Sequence, residues 1–160
     1  MKYSRIELQQ MIRQEIPLCD AMEMTVDALS ENKIVVSAPM AANKNNHGSF
    51  FAGSIYSLSA ITGWGLLTNY AHTHFTGSGV VVRKASVDYF HPIIDKRLIM
   101  TAEMPDVTIM EPFVDRLNKK GRARLNLSID IFSDEKLAVQ FSGAYTILKS
   151  GHAEVVKGNG

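Results

Sequence analysis

The chain has 160 residues, a length that suits one domain and allows a sizeable core. Its 17 Lys and Arg residues nearly balance its 16 Asp and Glu residues, so neither nucleic-acid binding nor an acidic tail is indicated. The single cysteine, Cys19, excludes an internal disulfide, and residues 1–16 lack the apolar stretch of a secretory signal, so we expect a cytoplasmic protein.

The N-terminal part of the chain is predicted to form a helix and a β-hairpin. Ser4 and Glu7 have the spacing of a capping box, so a helix is expected from there to about Ile16, with Pro17 helping to end it. A turn at 30–32 separates two strands, residues 22–29 and 33–40. The apolar face of the first strand is predicted to consist of Met22, Met24, Val26 and Ala28.

Residues 49–71 contain no charged side chain. Their number is close to what a membrane-spanning helix needs, but they include too many polar groups for a helix exposed to lipid. These groups are Ser49, Ser54, Ser57, Ser59, Thr62, Thr68 and Asn69. The segment therefore predicts a helix buried on nearly all sides by protein, with no membrane involved. Its small residues, Gly53, Ala60, Gly63 and Gly65, are expected to allow close backbone approach.

Four strands are predicted after this helix, at 80–90, 97–104, 122–132 and 137–148. The third alternates most clearly, with Leu125, Leu127, Ile129 and Ile131 on one face. Consecutive half-buried strands favour an antiparallel sheet. A sheet that curls around the apolar helix would bury this helix, so we expect an α+β fold. Residues 1–150 are expected to be a single domain and 151–160 a flexible tail.

This order of elements resembles the hotdog fold, in which a curved antiparallel sheet wraps around a long central helix. More closely, residues 38–65 (APMAANKNNHGSFFAGSIYSLSAITGWG) resemble a bacterial putative-thioesterase family. The distinctive residues are Asn43, Asn45, Gly48, Ser49, the FAGS run at 51–54 and the GWG run at 63–65. The same domain also occurs behind an N-acetyltransferase domain, whose CoA-binding motif Q/R-x-x-G-x-G/A has no match in this sequence.

The resemblance implies an acyl group carried on coenzyme A or on acyl carrier protein (ACP), with no separate cofactor and no metal. It also implies a homodimer or higher homo-oligomer, in which one subunit's helix start faces the other's strands. The leading function is hydrolysis of an acyl-CoA or acyl-ACP thioester. Two alternatives stay open: malonyl-ACP decarboxylation, which some relatives perform, and acyl-CoA binding without catalysis.

The expected site lies around the start of the long helix, where free N–H groups and the helix dipole would stabilise the thioester oxygen. The candidate catalytic residues are Asn45, Gly48, Ser49 and Ser54. The candidate substrate-binding residues are Asn43, Phe51, Ala52, Gly53, Arg83 and Lys84, the last two for CoA phosphates. Helix capping is the plainer explanation for Asn and Ser at such a position.

The predicted helix lacks a carboxylate, whereas many hotdog thioesterases carry one there, after a His-Gly-Gly triplet. Residues 51–53, Phe-Ala-Gly, stand in the place of that triplet. Hydrolysis near neutral pH needs a base to take a proton from water. The candidates are His47, His72, His74 and Asp88, and none has local support. Decarboxylation of a malonyl thioester needs no base, only donors for the enolate oxygen, which Asn45 and Ser49 would supply.

Overall fold

The protein is built around one long apolar helix, and strands from two sheets pack against it. The structure, a computed structural model, describes residues 1–150, so the tail predicted at 151–160 lies outside the described residues. In chain order the elements are α1 (Arg5–Glu15), α2 (Leu18–Ala21), β1 (Thr25–Leu29), β2 (Lys33–Pro39), α3 (Met40–Asn43), α4 (Ala52–His74), β3 (Gly79–Tyr89), β4 (Arg97–Glu103), α5 (Val107–Lys120), β5 (Arg122–Ser133) and β6 (Lys136–Leu148).

The strands form two antiparallel sheets, in the orders β1-β2-β4 and β3-β6-β5. Helix α4 contacts β2 and β4 of the first sheet and all three strands of the second, and β4 lies beside β5. The strands therefore surround the helix, as the hotdog resemblance predicts, and most of its 23 residues are buried or half-buried. Within residues 1–150, no helix is long and apolar enough to cross a membrane.

The glycines of α4 make room for side chains from the surrounding elements. A Cβ atom on Gly63 would overlap the ring of Tyr145, coming within 2.7 Å of its Cζ atom. The Tyr145 ring is buried, and its hydroxyl donates to the carbonyl of Ala60 over 3.0 Å. A Cβ atom on Gly65 would meet only the methyl ends of Ile34 and Ile12, at 3.3 and 3.4 Å. The predicted close approach is thus a fit between helix backbone and strand side chains.

The N-terminal helix and the β5 alternation are confirmed. The Ser4 side chain accepts from the Glu7 amide while the Glu7 carboxylate accepts from the Ser4 amide, which completes the capping box. Alternate residues of β5 are buried from Ala123 to Ile131, and those between them are exposed.

The inward placement of Ala28 is wrong, because a β-bulge between Val26 and Ala28 shifts the register and leaves Ala28 exposed. The strand also begins later than predicted, at Thr25. Met22 and Met24 are buried, but they lie in the connection between α2 and β1.

No element is predicted from the sequence between 105 and 121, where the structure contains α5. This helix buries Phe113 and Leu117 and ends at Gly121, whose φ of +66° is the left-handed conformation typical of a helix C-terminus. Pro112 lies inside the helix and argues locally against it, since proline lacks the amide that a helix interior uses. Packing of the apolar face outweighs that cost.

Candidate active site

The long helix begins at Ala52, three residues later than the uncharged segment suggests. Phe51 is the N-cap residue with an extended backbone, and no side chain caps the helix. The first intrahelical bond at this end runs from the Ile55 amide to the Phe51 carbonyl, at 3.1 Å. The amides of Ala52, Gly53 and Ser54 precede that bond, so the helix itself does not satisfy them. This end of α4 therefore offers donors and a positive dipole end.

Asn45 to Ser49 form a tight loop before the helix start, held together by the Asn45 side chain. Its Oδ1 atom accepts from the amides of His47 and Ser49, at 2.8 and 3.1 Å, as in an Asx turn. Its Nδ2 atom donates to the Ser49 hydroxyl oxygen at 2.9 Å. The Ser49 oxygen acts as an acceptor in this bond, so its own proton is available for a ligand. Gly48 has a φ of +78°, which the turn requires.

The end of β3 and the segment after it face this loop and the helix start. The Tyr89 hydroxyl donates to the carbonyl of Ala52 at 2.8 Å. The Phe50 amide donates to the carbonyl of Ile93 at 2.9 Å. Burial raises the pKa of Tyr89, with a smaller contribution from Tyr56, so its hydroxyl stays protonated and keeps this donor role. The two contacts hold the pieces of the site in fixed relative positions.

A cavity of about 270 Å³ lies between these pieces. Its lining comprises Asn45, Phe50, Ala52, Ile55, Tyr89, Phe90, His91, Pro92 and Ile93. Most of these side chains are apolar, and the polar ones are an amide, a phenol and an imidazole. An apolar cleft with a few polar groups beside a helix N-terminus is suited to binding a small acyl group with a polar carbonyl.

A larger concavity, about 440 Å³, lies along α5. Its lining residues are Met110, Glu111, Val114, Asp115 and Asn118. Because all of them belong to one helix, it is a groove on the surface with no second wall. The cavity at the start of α4 is smaller but is lined by residues from several parts of the chain, so it is the better candidate site.

The structure places several of the predicted site residues together. Asn45 and Ala52 line the cavity, and Gly48 and Ser49 belong to the same loop as Asn45. Ser54 is half-buried in the first turn of α4. The ring of Phe51 lies over Gly53, where a Cβ atom would overlap it. The glycine thus lets this ring cover one side of the helix start.

Asn43 lies outside the cavity lining. It is 2% exposed, and its Nδ2 atom donates to the carbonyls of Met22 and Pro39, both at 2.9 Å. Its backbone carbonyl accepts from the Phe51 amide at 2.7 Å. These contacts connect the α2–β1 turn to the approach of α4, which favours a structural role for this side chain.

Arg83 and Lys84 are exposed in the middle of β3 and do not line the cavity. Tyr89 is the fifth residue after Lys84, and five steps correspond to about 17 Å along a strand. At that distance these cations are too far from the helix start to contact a thioester there.

Three of the four predicted bases, His72, His74 and Asp88, are poorly placed. The fourth, His47, belongs to the Asn45–Ser49 loop but does not line the cavity. His72 and His74 lie at the other end of α4, about 30 Å from Ala52 at the rise of an α-helix. The His72 ring is also occupied, between the Tyr3 hydroxyl at 2.7 Å and the Ser78 carbonyl at 3.0 Å. Asp88 directly precedes Tyr89 on β3, so its side chain points to the opposite face of the sheet.

His91 lines the cavity and was not predicted from the sequence. The local sequence gives one usable signal, because His91 follows the strand β3 and precedes a proline. That signal indicates a site residue only when the end of β3 is known to lie beside the start of α4. Within residues 1–150, no group of three or more His, Cys, Asp or Glu side chains is arranged to hold a metal ion.

The fold recurs in solved structures. A protein of unknown function from Chlorobaculum tepidum superposes with a TM-score of 0.82 and 25% identity, over 91% of this chain and 94% of the other. A putative thioesterase from Shewanella oneidensis superposes with a TM-score of 0.78 and 28% identity, over 90% of this chain and 96% of the other. A Pseudomonas aeruginosa protein described as a probable thioesterase shares the fold at 16% identity, with a TM-score of 0.78 over 92% and 97%.

A family model described as "Putative thioesterase (yiiD_Cterm)" matches residues 5–149 of the sequence. The match includes the Asn45–Ser49 loop, the whole of α4 and the strands that surround it. The chain therefore belongs to this putative thioesterase family.

Proposed function

We propose that the protein hydrolyses an acyl thioester carried on CoA or ACP, with no cofactor apart from the carrier, which belongs to the substrate. The observation that carries the proposal is the uncapped start of α4 opening beside an apolar cavity. A thioester oxygen held by the amides of Ala52 to Ser54 would gain negative charge in the transition state. Each well-placed donor of this kind stabilises such a charge by about 3–4 kcal/mol.

The Asn45–Ser49 loop supplies the remaining polar contacts in this proposal. The Ser49 hydroxyl already accepts from Asn45 and so donates to the thioester oxygen or to a water. Ser54 adds a hydroxyl from the helix, and the open space around Gly48, with no atom within 4 Å of its ideal Cβ position, keeps the loop backbone accessible. Arg83 and Lys84 lie at a distance that suits the phosphates of the carrier, because a long pantetheine arm separates those phosphates from the thioester.

The free edge of β3 supports a homodimer or higher homo-oligomer. Within the described chain β3 pairs with β6 on one side only, and several large apolar side chains on β3 or close to it are exposed. These are Tyr56, Val82, Tyr89 and Phe90. Unpaired strands that carry apolar side chains are prone to pair with another chain. We therefore expect size-exclusion chromatography with light scattering to give at least twice the mass of 17.7 kDa.

Malonyl-thioester decarboxylation is the second candidate, and the lack of a carboxylate in α4 and in the cavity lining favours it. Loss of CO2 leaves an enolate whose oxygen needs donors and no general base. The helix amides and the Ser49 hydroxyl provide those donors. Binding of acyl-CoA without turnover remains the non-enzymatic alternative.

A panel of acetyl-, butyryl-, octanoyl- and malonyl-CoA and the corresponding ACP thioesters, analysed by mass, distinguishes the three functions. Free acid plus free thiol is the expected product. Acetyl thioester formed from malonyl thioester would instead establish decarboxylation, and bound but unchanged thioester would establish a binding protein.

Two substitutions test the site itself. Ser49→Ala removes the available proton, and Asn45→Asp keeps the acceptor of the Asx turn while replacing the amide donor. Each is expected to lower kcat/KM by at least tenfold. Ser128→Ala and Asn126→Ala, both exposed on the outer face of β5, are the matched controls and should leave turnover unchanged. Full activity in Ser49→Ala and Asn45→Asp would show that the site lies elsewhere.

A further inference from the structure

The cavity at the start of α4 contains a side chain that can take up a proton near neutral pH. Two titratable groups, Tyr89 and His91, are among its lining residues. The Tyr89 hydroxyl donates to the Ala52 carbonyl, and burial raises the pKa of this tyrosine, so it is not available as a base. A neutral imidazole has one ring nitrogen with a free electron pair, which can accept a proton. Among the lining residues, His91 is therefore the group chemically suited to accept a proton from water.

The backbone around His91 is held on both sides. Its amide donates to the carbonyl of Ala138 on β6 at 3.2 Å. Two residues later, the Ile93 carbonyl accepts from Phe50, next to the Asn45–Ser49 loop. Pro92 restricts the backbone of His91 further, because a residue before proline is confined to extended conformations. The segment that carries the imidazole is thus fixed relative to both β6 and the helix start.

The imidazole of His91 is exposed at the cavity and, in the part of the chain that the structure describes, makes no hydrogen bond or ion pair. His72 and His74 differ in this respect. The first is bonded to Tyr3 and Ser78, and the second contacts the Glu31 carboxylate at 3.0 Å. An unoccupied imidazole in a substrate-sized cleft is available for chemistry with bound water.

We infer that His91 is the general base that activates water for thioester hydrolysis, an inference that rests on the proposed hydrolase function. The water oxygen forms a bond to the thioester carbon while its proton moves to a ring nitrogen of His91. The C=O electron pair moves onto the oxygen, where the α4 amides stabilise the negative charge. The pair then re-forms the C=O bond as the C–S bond breaks. The leaving thiolate takes the proton from His91, which gives a carboxylic acid and a thiol and regenerates the imidazole.

The test compares wild type with His91→Gln, a side chain of similar size that does not titrate near neutral pH. The probe is whichever of acetyl-, butyryl- and octanoyl-CoA the wild type cleaves fastest, with free thiol as the readout. General-base catalysis contributes about 10²–10⁴-fold, so kcat should fall by at least 100-fold with little change in KM. The wild type should have an acidic limb in its pH–rate profile, because a protonated base cannot accept a proton from water, and this limb should disappear in the variant.

Two further variants separate a chemical role from a structural one. His74→Gln changes a histidine at the far end of α4 and should keep both turnover and the acidic limb. His91→Gly should regain activity in proportion to added imidazole, which a purely structural defect would not do. Wild-type activity in His91→Gln with its acidic limb retained would overturn the inference and leave hydrolysis standing. Failure of imidazole to rescue His91→Gly, together with a lowered urea midpoint of that variant, would also overturn the inference. A wild type that cleaves none of the probes would refute both the proposed function and the role of His91.

Discussion

Gly63→Ala is expected to lower the free energy of unfolding by about 2 kcal/mol, although alanine is the better helix former. In a helix interior alanine is favoured over glycine by about 1 kcal/mol. Against this gain stands the overlap of the new methyl group with the Tyr145 ring, whose Cζ atom lies 2.7 Å from the ideal Cβ position. Overpacking of this kind costs about 1–3 kcal/mol. Displacing the ring also breaks the Tyr145–Ala60 hydrogen bond, which contributes about 1 kcal/mol.

Gly65→Ala is the matched control, two residues further along the same helix. Its new methyl group would meet the flexible ends of Ile34 and Ile12 at 3.3 and 3.4 Å, and small side-chain shifts relieve both contacts. The helix-propensity gain should then dominate, giving a variant between neutral and about 1 kcal/mol more stable. Urea unfolding followed by circular dichroism measures both variants. With a slope of about 2 kcal/mol per molar urea, the Gly63→Ala midpoint should fall by about 1 M.

Tyr145→Phe identifies the cause of the loss. The phenol oxygen is the Tyr145 side-chain atom nearest to the new methyl group, so removing it should relieve part of the overlap. The double variant is expected to lose about 1 kcal/mol less than the sum of the two single variants. Equal stability of Gly63→Ala and Gly65→Ala, or strict additivity in the cycle, would refute the account of α4 packing given above.

Three further predictions concern single residues. Gly48→Ala should lower the free energy of unfolding by about 1 kcal/mol, because alanine is strained at a φ of +78°. Gly79→Ala should lower it less, because Gly79 has no positive φ and no atom lies within 4 Å of its ideal Cβ position. Equal unfolding midpoints of the two variants would contradict this. Burial raises the pKa of the Cys19 thiol to about 11, so iodoacetamide should label it at about pH 8 only as fast as the protein unfolds, and immediate labelling would refute its burial. The Ser4 amide lowers the pKa of Glu7, so the stability that its charge contributes is present above the ordinary pKa and is lost as pH falls through the lowered value. The difference in Tm between wild type and Glu7→Gln should therefore shrink as the pH is lowered through the range in which Glu7 is protonated, and a constant difference would contradict the cause.

Local sequence patterns predicted those parts of the fold that depend on nearby residues. The capping box at Ser4 involves groups three residues apart, and the alternation in β5 reflects one strand facing one core. The bulge that exposes Ala28 depends on pairing with β2, which the pattern within β1 does not encode. Helix α5 depends on burial of Phe113 and Leu117, which outweighs the local signal of Pro112.

The candidate site shows the same division between local and distant determinants. The Asn45–Ser49 loop is predictable because its hydrogen bonds join residues at most four apart. The remaining cavity residues, Tyr89 to Ile93, come about forty positions later in the sequence. They reach the start of α4 only because of the direction in which the antiparallel strand β3 runs. Neither the Tyr89–Ala52 contact nor the position of His91 could be read before that course was known.

In the proposed mechanism the base comes from a segment outside α4, in keeping with the absence of Asp and Glu from this helix. A carboxylate on a helix covered by both sheets would lose its hydration along most of the helix length, so charge is tolerated only near its ends. In the proposed mechanism the N-terminal end of α4 donates to a developing negative charge. An imidazole is neutral before it accepts a proton, so His91 as the base adds no negative charge beside this end in the resting site. Substitutions inside α4, such as Gly63→Ala, should consequently change stability, whereas those in the segments that meet its N-terminus should change turnover.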